Sequence, residues 1–157
     1  MTTNLPTVLT VRPLTVADAR VIAGWRYDGP WKVYDPRPGD APMSDNPDYL
    51  AVAGAEGGPL VGFCCSGVEA RVRGLAAEEG TLDVGVGMDP SMVGQGHGLR
   101  FVTAIIEHYR GTTGARRLRA VVQSWNERSL RLTRAAGFVP VGEHVAGDVT
   151  FTVVVSG

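Results

Sequence analysis

The segment SMVGQGHGLRF, Ser91 to Phe101, places glycines at Gly94, Gly96 and Gly98, between a predicted strand and a predicted amphipathic helix. Glycine lets the backbone approach a ligand without Cβ obstruction and take positive φ. The N–H groups of such a loop, with the positive end of the following helix, make an anion site for which a pyrophosphate is the natural guest. Three phosphate-binding patterns compete. A P-loop needs Gly-Lys-Ser/Thr, and this stretch has no lysine. A dinucleotide fingerprint needs G-x-G-x-x-G. Counted from Gly94 its third glycine position is Leu99, and the next strand ends in Gln123, not in an acidic residue. The third pattern, x-x-x-G-x-G after a bulged strand, is met by Gly96-His97-Gly98, and a plain tight turn is the alternative.

The other chemistry-bearing residues exclude several classes. Net charge is −1 over 157 residues, so no overall basic field points to nucleic acid. Lys32 is the lone lysine. Arginines cluster at Arg116, Arg117 and Arg119 and again at Arg128, Arg131 and Arg134, as a solvated face or a site for a phosphorylated ligand. Cys64 and Cys65 are neighbours in a strand and point to opposite faces, which suits free thiols in a reducing compartment. His97, His108 and His144 show no metal-ligand spacing, so no metal is expected. The N-terminus has no basic start and no long apolar run, and no stretch reaches membrane-span length. The expectation is a cytoplasmic protein that engages no membrane.

The elements that must position these residues follow from periodicity. LTVRPL (Leu9–Leu14) reads as a strand. A helix follows, with Thr15 as N-cap, Asp18 completing a capping box, and Val16, Ala19, Ile22 and Ala23 on one face. Tyr27–Asp48 is a long Pro-, Gly- and Asp-rich loop carrying Trp31 and Tyr34, hence a lid or a segment packed on the core. YLAVAGAE and PLVGFCCSG form a hairpin across EGG. TLDVGVGMD is a strand whose Gly85 and Gly87 mark a bulge or a close backbone approach. The next helix has a stripe of Phe101, Val102, Ile105, Ile106 and Tyr109. RLRAVVQ is a strand. NERSLRLTRAAGF is a helix capped by Asn126 and stopped by Gly137, with Leu130 and Leu132 inward. A final hairpin closes around AGD. The sum is one α/β domain over residues 1–157, with a mixed, mostly antiparallel sheet of six to seven strands flanked by helices.

Three segments together resemble the GNAT N-acyltransferase family over nearly the whole chain. LDVGVGMDPSMVGQGHGLRFV is similar to its fourth strand, pyrophosphate loop and following helix. NERSLRLTRAAGF is similar to its N-x-x-(Ser/Ala) helix, and VRPLTVADARVIAGWRY to its opening strand and helix. Within the family the chain is most similar to bacterial RimI/RimL-like members. The resemblance implies acetyl-CoA as co-substrate, with pantetheine entering where the fourth strand splays from the fifth. Backbone of Val86, Gly87 and Met88 would pair with the pantetheine arm as an added strand. Gly94, Gln95, Gly96, His97, Gly98 and Leu99 would take the pyrophosphate, and Asn126 would hydrogen-bond the arm besides capping its helix. Val93 stands where the family often has Arg or Gln, and that side chain's contribution to the cradle is absent. Thr133 stands where many members have the Tyr that protonates the leaving thiolate. Ser129 or solvent then supplies that proton.

The implied reaction is direct attack of a neutral amine on the thioester, so a base or a water chain must remove a proton. Asp83 and Glu69 are the candidate bases, each with the alternative of an exposed strand-end carboxylate. A backbone N–H near Val86–Met88 is the oxyanion donor. Cys64 and Cys65 are read as inert small hydrophobes. Trp25, Arg26, Tyr27, Trp31 and Tyr34 are the acceptor-pocket candidates, for a small amine, an aminoacyl group or a peptide N-terminus. Two other readings stay open: an acyl-CoA-binding sensor or scaffold without turnover, and a transferase of another acyl group. The resemblance and the apolar C-terminal hairpin are both consistent with a homodimer.

Overall fold

The computed structural model describes residues 4–157; Met1–Thr3, the first part of the N-terminus read above, lie outside it. The elements follow in the order β1 (Leu9–Pro13), α1 (Val16–Ala23), β2 (Tyr49–Gly54), β3 (Leu60–Ser66), β4 (Thr81–Met88), α2 (Gly98–Thr113), β5 (Arg117–Gln123), α3 (Glu127–Ala135), β6 (Val139–Ala146) and β7 (Val149–Ser156). Short 3-10 turns sit in the connections at Gly29–Tyr34, Met43–Asp45, Gly67–Ala70 and Pro90–Met92. The strands form a seven-stranded sheet in the order β1-β2-β3-β4-β5-β7-β6. β1–β2, β5–β7 and β6–β7 pair antiparallel, and β4–β5 pairs parallel. The mixed, mostly antiparallel α/β architecture expected from the sequence is therefore present. By contacts the chain divides into two compact units. One is the chain through Cys64 with Val86–Gly98, and the other is Cys65–Gly85 with Leu99–Gly157.

In the first unit, α1 begins where expected. The Thr15 hydroxyl accepts from Asp18 N–H at 3.1 Å, and the Asp18 carboxylate accepts from Thr15 N–H at 2.9 Å. The helix's inward face differs from the expected one. Val16 and Ala23 are exposed, whereas Asp18, Ala19 and Ile22 are buried, with Trp25 just beyond the helix end. The reason is Arg12 on β1, whose guanidinium grips Asp18 through both terminal nitrogens at 2.6 and 3.1 Å and turns that polar face inward. Ala51, Val52, Ala53, Val61 and Cys64 supply the apolar core of the two central strands.

In the same unit Gly87 shows why its strand carries glycine. A Cβ there would collide with ring carbons of Phe63. Phe63 in turn stacks on Trp25 at 6.3 Å between centroids and meets Tyr49 at 6.1 Å. The close-approach reading of this glycine is the one realised: an aromatic ring takes the space over the strand.

In the second unit, Phe101, Val102, Ile105 and Tyr109 form the buried stripe of α2, with Ile106 at its half-buried margin. Burial of each such side chain is worth about 1.5–3 kcal/mol. Leu118 on β5 and Val153, Val154 and Val155 on β7 complete this core. The parallel β4–β5 ladder is short: Thr81, Leu82 and Asp83 pair with Arg117, Leu118 and Arg119, and it stops there. α3 ends in a Schellman motif. Gly137 has φ +95°, its N–H reaches the Arg134 carbonyl at 3.1 Å, and Phe138 N–H reaches that of Thr133 at 2.9 Å. Leu130 and Leu132 are half-buried rather than core. β6 and β7 join through the two-residue turn Gly147–Asp148.

Candidate functional site

The glycine segment lies between β4 and α2. Asp89 caps the 3-10 turn Pro90–Met92, its carboxylate accepting from Ser91 N–H and from the Ser91 hydroxyl, both at 2.9 Å. Met92 is buried and pins the turn, and the Gln95 amide closes back on the Ser91 carbonyl. Gly94 and Gly96 then take φ of +76° and +80°, values that disfavour any residue with a Cβ. Gly98 does not; it is the first residue of α2. Where a Gly96 Cβ would stand there is no atom within 4 Å, so the backbone faces open space. Val93, Gln95 and His97 are half-buried, and Leu99 is exposed. The turn thus carries two left-handed glycines, Gly94 and Gly96, and the chain continues from it into the 16-residue helix α2.

β4 leads into that turn. Val86 is exposed, while Gly87 and Met88 are half-buried. The peptide joining Met88 to Asp89 is held from both sides. Its N–H donates to the Val61 carbonyl on β3 at 2.8 Å, and its C=O accepts from the Tyr27 hydroxyl at 2.7 Å. Burial, then the nearby Asp89 and Asp35 carboxylates, push the Tyr27 phenol up to about 12.

In the second unit, Asp83 is buried and its carboxylate carries three donors. Arg119 Nε lies 2.6 Å from Oδ1, and Arg119 Nη2 and Arg71 Nη1 lie 3.2 and 2.9 Å from Oδ2. A carboxylate accepts about four hydrogen bonds, so little capacity is left for an incoming proton donor. Neither the accessible base nor the exposed strand-end carboxylate expected at this position matches that environment, which is that of an anchoring group. Arg119 also reaches Glu78 at 3.0 Å and the Ala76 carbonyl at 2.7 Å, and the Asp83 hydrogen bond raises its pKa against the effect of burial. Arg117 pairs with Glu78 at 3.5 Å, so two arginines of the first cluster, Arg117 and Arg119, are held in ion pairs with Glu78. Arg128, Arg131 and Arg134 are exposed on α3.

Glu69 is exposed on the 3-10 turn after β3. Asn126 is buried and caps α3, accepting from Ser129 N–H at 3.2 Å, so its capping role is realised. Ser129 is half-buried in the first turn. The Thr133 hydroxyl donates to the Leu130 carbonyl at 2.9 Å and is thereby tied to its own helix.

The profile of the acetyltransferase (GNAT) family matches residues 17–138. The chain belongs to the GNAT acetyltransferase family. Solved structures agree in fold. An aminoglycoside acetyltransferase AAC(6')-Ib, in complex with coenzyme A and kanamycin, superposes with a TM-score of 0.74 at 19% identity, over 95% of this chain and 94% of that one. A chimera of the Vibrio cholerae spermidine N-acetyltransferase SpeG and hSSAT gives 0.71 at 14%, over 94% of each chain. A GNAT-family acetyltransferase from Bacillus anthracis gives 0.71 at 16%, over 94% and 93%. No curated protein matches the sequence significantly. Among the described residues no helix is long and apolar enough to cross a membrane, and no cluster of His, Cys, Asp or Glu has a metal-holding arrangement.

The acceptor candidates of this GNAT acetyltransferase separate. Trp25 is buried against Phe63 and serves the core, a correction to its expected place in a pocket. Arg26 folds back on the end of α1, donating to the Ala23 and Trp25 carbonyls at 3.0 and 2.6 Å, and acts as a helix terminator. Tyr27 is anchored to β4. Trp31 is half-buried and Tyr34 exposed on the 3-10 turn Gly29–Tyr34. The Tyr27–Met88 contact and the Arg71–Asp83–Arg119 group were not read from the sequence. Both join residues far apart in the chain, and no local spacing signals them.

Proposed function

We propose that this GNAT acetyltransferase is an acetyl-CoA-dependent N-acetyltransferase, working as one N-acyltransferase domain over residues 1–157. The observation that carries this is the Gly94–Gly98 turn, with two left-handed glycines and open space beyond Gly96, set at the start of α2. Val93, Gly94, Gln95, Gly96, His97, Gly98 and Leu99 hold the pyrophosphate by backbone N–H groups. Val86, Gly87 and Met88 offer the strand edge to the pantetheine amides. Asn126, beyond its cap, hydrogen-bonds the arm. When bound, acetyl-CoA supplies an acyl group activated as a thioester.

The chain's own groups do the rest. The amine nitrogen bonds to the acyl carbon and the carbon–sulfur bond breaks. Exposed Glu69, directly or through water, takes the amine proton. A backbone N–H of Val86–Met88 holds the acyl oxygen. Ser129 or solvent returns a proton to the departing thiolate, since Thr133 is bound to its helix. Asp83 positions Arg119 rather than moving protons.

The acceptor is a small molecule with a primary amine, an aminoacyl group or a peptide N-terminus. The aminoglycoside and spermidine enzymes of like fold favour the small amine. The RimI/RimL-like placement, a cytoplasmic location and a homodimer through exposed Val139, Val141 and Val145 of β6 belong to the same reading. Light scattering that finds only monomer at high concentration removes the dimer.

The test is calorimetry with acetyl-CoA on wild type and on Gly96→Val/Gly98→Val. Tight wild-type binding lost in the variant supports the reading and warrants an amine screen. An absence of wild-type binding overturns it. Binding without turnover across a broad amine panel would point instead to a sensor or scaffold, and preference for longer acyl-CoA to another acyl group.

A further inference from the structure

The peptide between Met88 and Asp89 is clamped on both faces. A trans peptide directs its N–H and C=O to opposite sides. The Asp89 N–H is turned to β3, where it meets the Val61 carbonyl at 2.8 Å. The Met88 carbonyl therefore points away from β3, to the edge of β4 past the end of the β4–β5 ladder at Asp83. There the Tyr27 hydroxyl donates to it at 2.7 Å. Tyr27 is itself fixed, because its N–H donates to the Asp35 carboxylate at 2.8 Å.

We propose that Tyr27 is a positioning residue for the acyl donor, holding the Met88 carbonyl in the orientation at which an amide-bearing arm adds to the strand edge. This rests on the acetyl-CoA reading above. A carbonyl oxygen has two lone pairs, so it accepts from Tyr27 and from an incoming amide together. The phenol's one proton is committed to the Met88 carbonyl and not to the ligand, so Tyr27 acts through the backbone and touches no reacting atom. The contact also ties the segment from Tyr27 to Asp35, which carries Trp31 and Tyr34, to the strand that receives the donor.

The experiment measures two ligands by calorimetry on wild type, Tyr27→Phe and Asp35→Ala. One is acetyl-CoA. The other is the nucleotide half of CoA, which keeps the diphosphate but lacks the pantetheine arm. Tyr27→Phe removes one oxygen and is expected to weaken acetyl-CoA about 3- to 10-fold, the worth of one hydrogen bond, while leaving the nucleotide half unchanged. Asp35→Ala keeps the hydroxyl but loosens its anchor, and should show the same selective loss by a smaller factor. Equal or tighter acetyl-CoA binding by Tyr27→Phe overturns the proposal. So does an equal loss for both ligands, which marks a merely structural role. Failure of wild type to bind acetyl-CoA overturns the functional reading itself.

Discussion

Asp83 and Arg119 face each other across the last rung of the parallel β4–β5 ladder, joined by two hydrogen bonds of 2.6 and 3.2 Å, with both side chains buried. The pair is a cross-strand brace, and Arg71 and Glu78 extend it on either side. A buried arginine that loses its counter-charge is costly. Asp83→Ala should therefore destabilise by about 3–5 kcal/mol, read as a lowered urea midpoint. In Asp83→Asn, assayed where it is folded, the pH dependence of kcat/KM should keep its shape. Loss of the acid-side limb, on which kcat/KM rises with pH, would return Asp83 to the role of proton acceptor, whereas Glu69→Gln is the variant expected to lose that limb.

Acid stability should depend on Asp18. The Arg12 hydrogen bond, with help from Thr15 and against burial, holds its carboxyl at about 2 instead of the ordinary 3.8. A depressed native pKa stabilises the fold above the unfolded value, and that contribution is lost as pH falls from about 4 through about 2. It amounts to about 2 kcal/mol. Unfolding free energies of wild type and Asp18→Asn should differ most at neutral pH and converge near pH 2. Parallel curves would contradict the assignment.

Alkaline titration should isolate Tyr27. Its phenol is raised to about 12, chiefly by burial. The raised value stabilises the fold below the unfolded pKa, and this is lost as pH rises through about 12. The difference in phenolate absorbance between wild type and Tyr27→Phe should have its midpoint near there. A midpoint near that of free tyrosine would show an unburied ring.

Gly87 should tolerate no side chain while Phe63 is present. Gly87→Ala forces the ring to move and should cost about 1–3 kcal/mol. Pairing it with Phe63→Leu should recover part of that loss in a double-mutant cycle. Additive effects would mean that the two residues do not share the space.

The local rules were legible in the sequence: Thr15 with Asp18 as a capping box, Asn126 as an N-cap, Gly137 as the stop of α3, the buried stripe of α2, and the glycine turn. Each depends on residues within a turn or two of one another. Side-chain partners across strands were not legible. Asp83 reads as a strand-end carboxylate until β5 is laid beside it and Arg119 meets it. Trp25 reads as a pocket wall until β3 brings Phe63 against it. Gly98 resembles Gly94 and Gly96 in spacing, yet only the latter two need positive φ. Spacing alone does not distinguish a glycine that bends the chain from one that opens a helix.

The parallel rung has a kinetic meaning. Asp83 and Arg119 are 36 residues apart, and all of α2 must be traversed before they meet. The β6–β7 hairpin closes over two residues and carries its own register. Loop-closure entropy makes the hairpin an early, local event and the rung a late, non-local one. Weakening the brace should then quicken unfolding far more than it slows refolding, so the lifetime of the native state, as distinct from its rate of formation, is governed at Asp83.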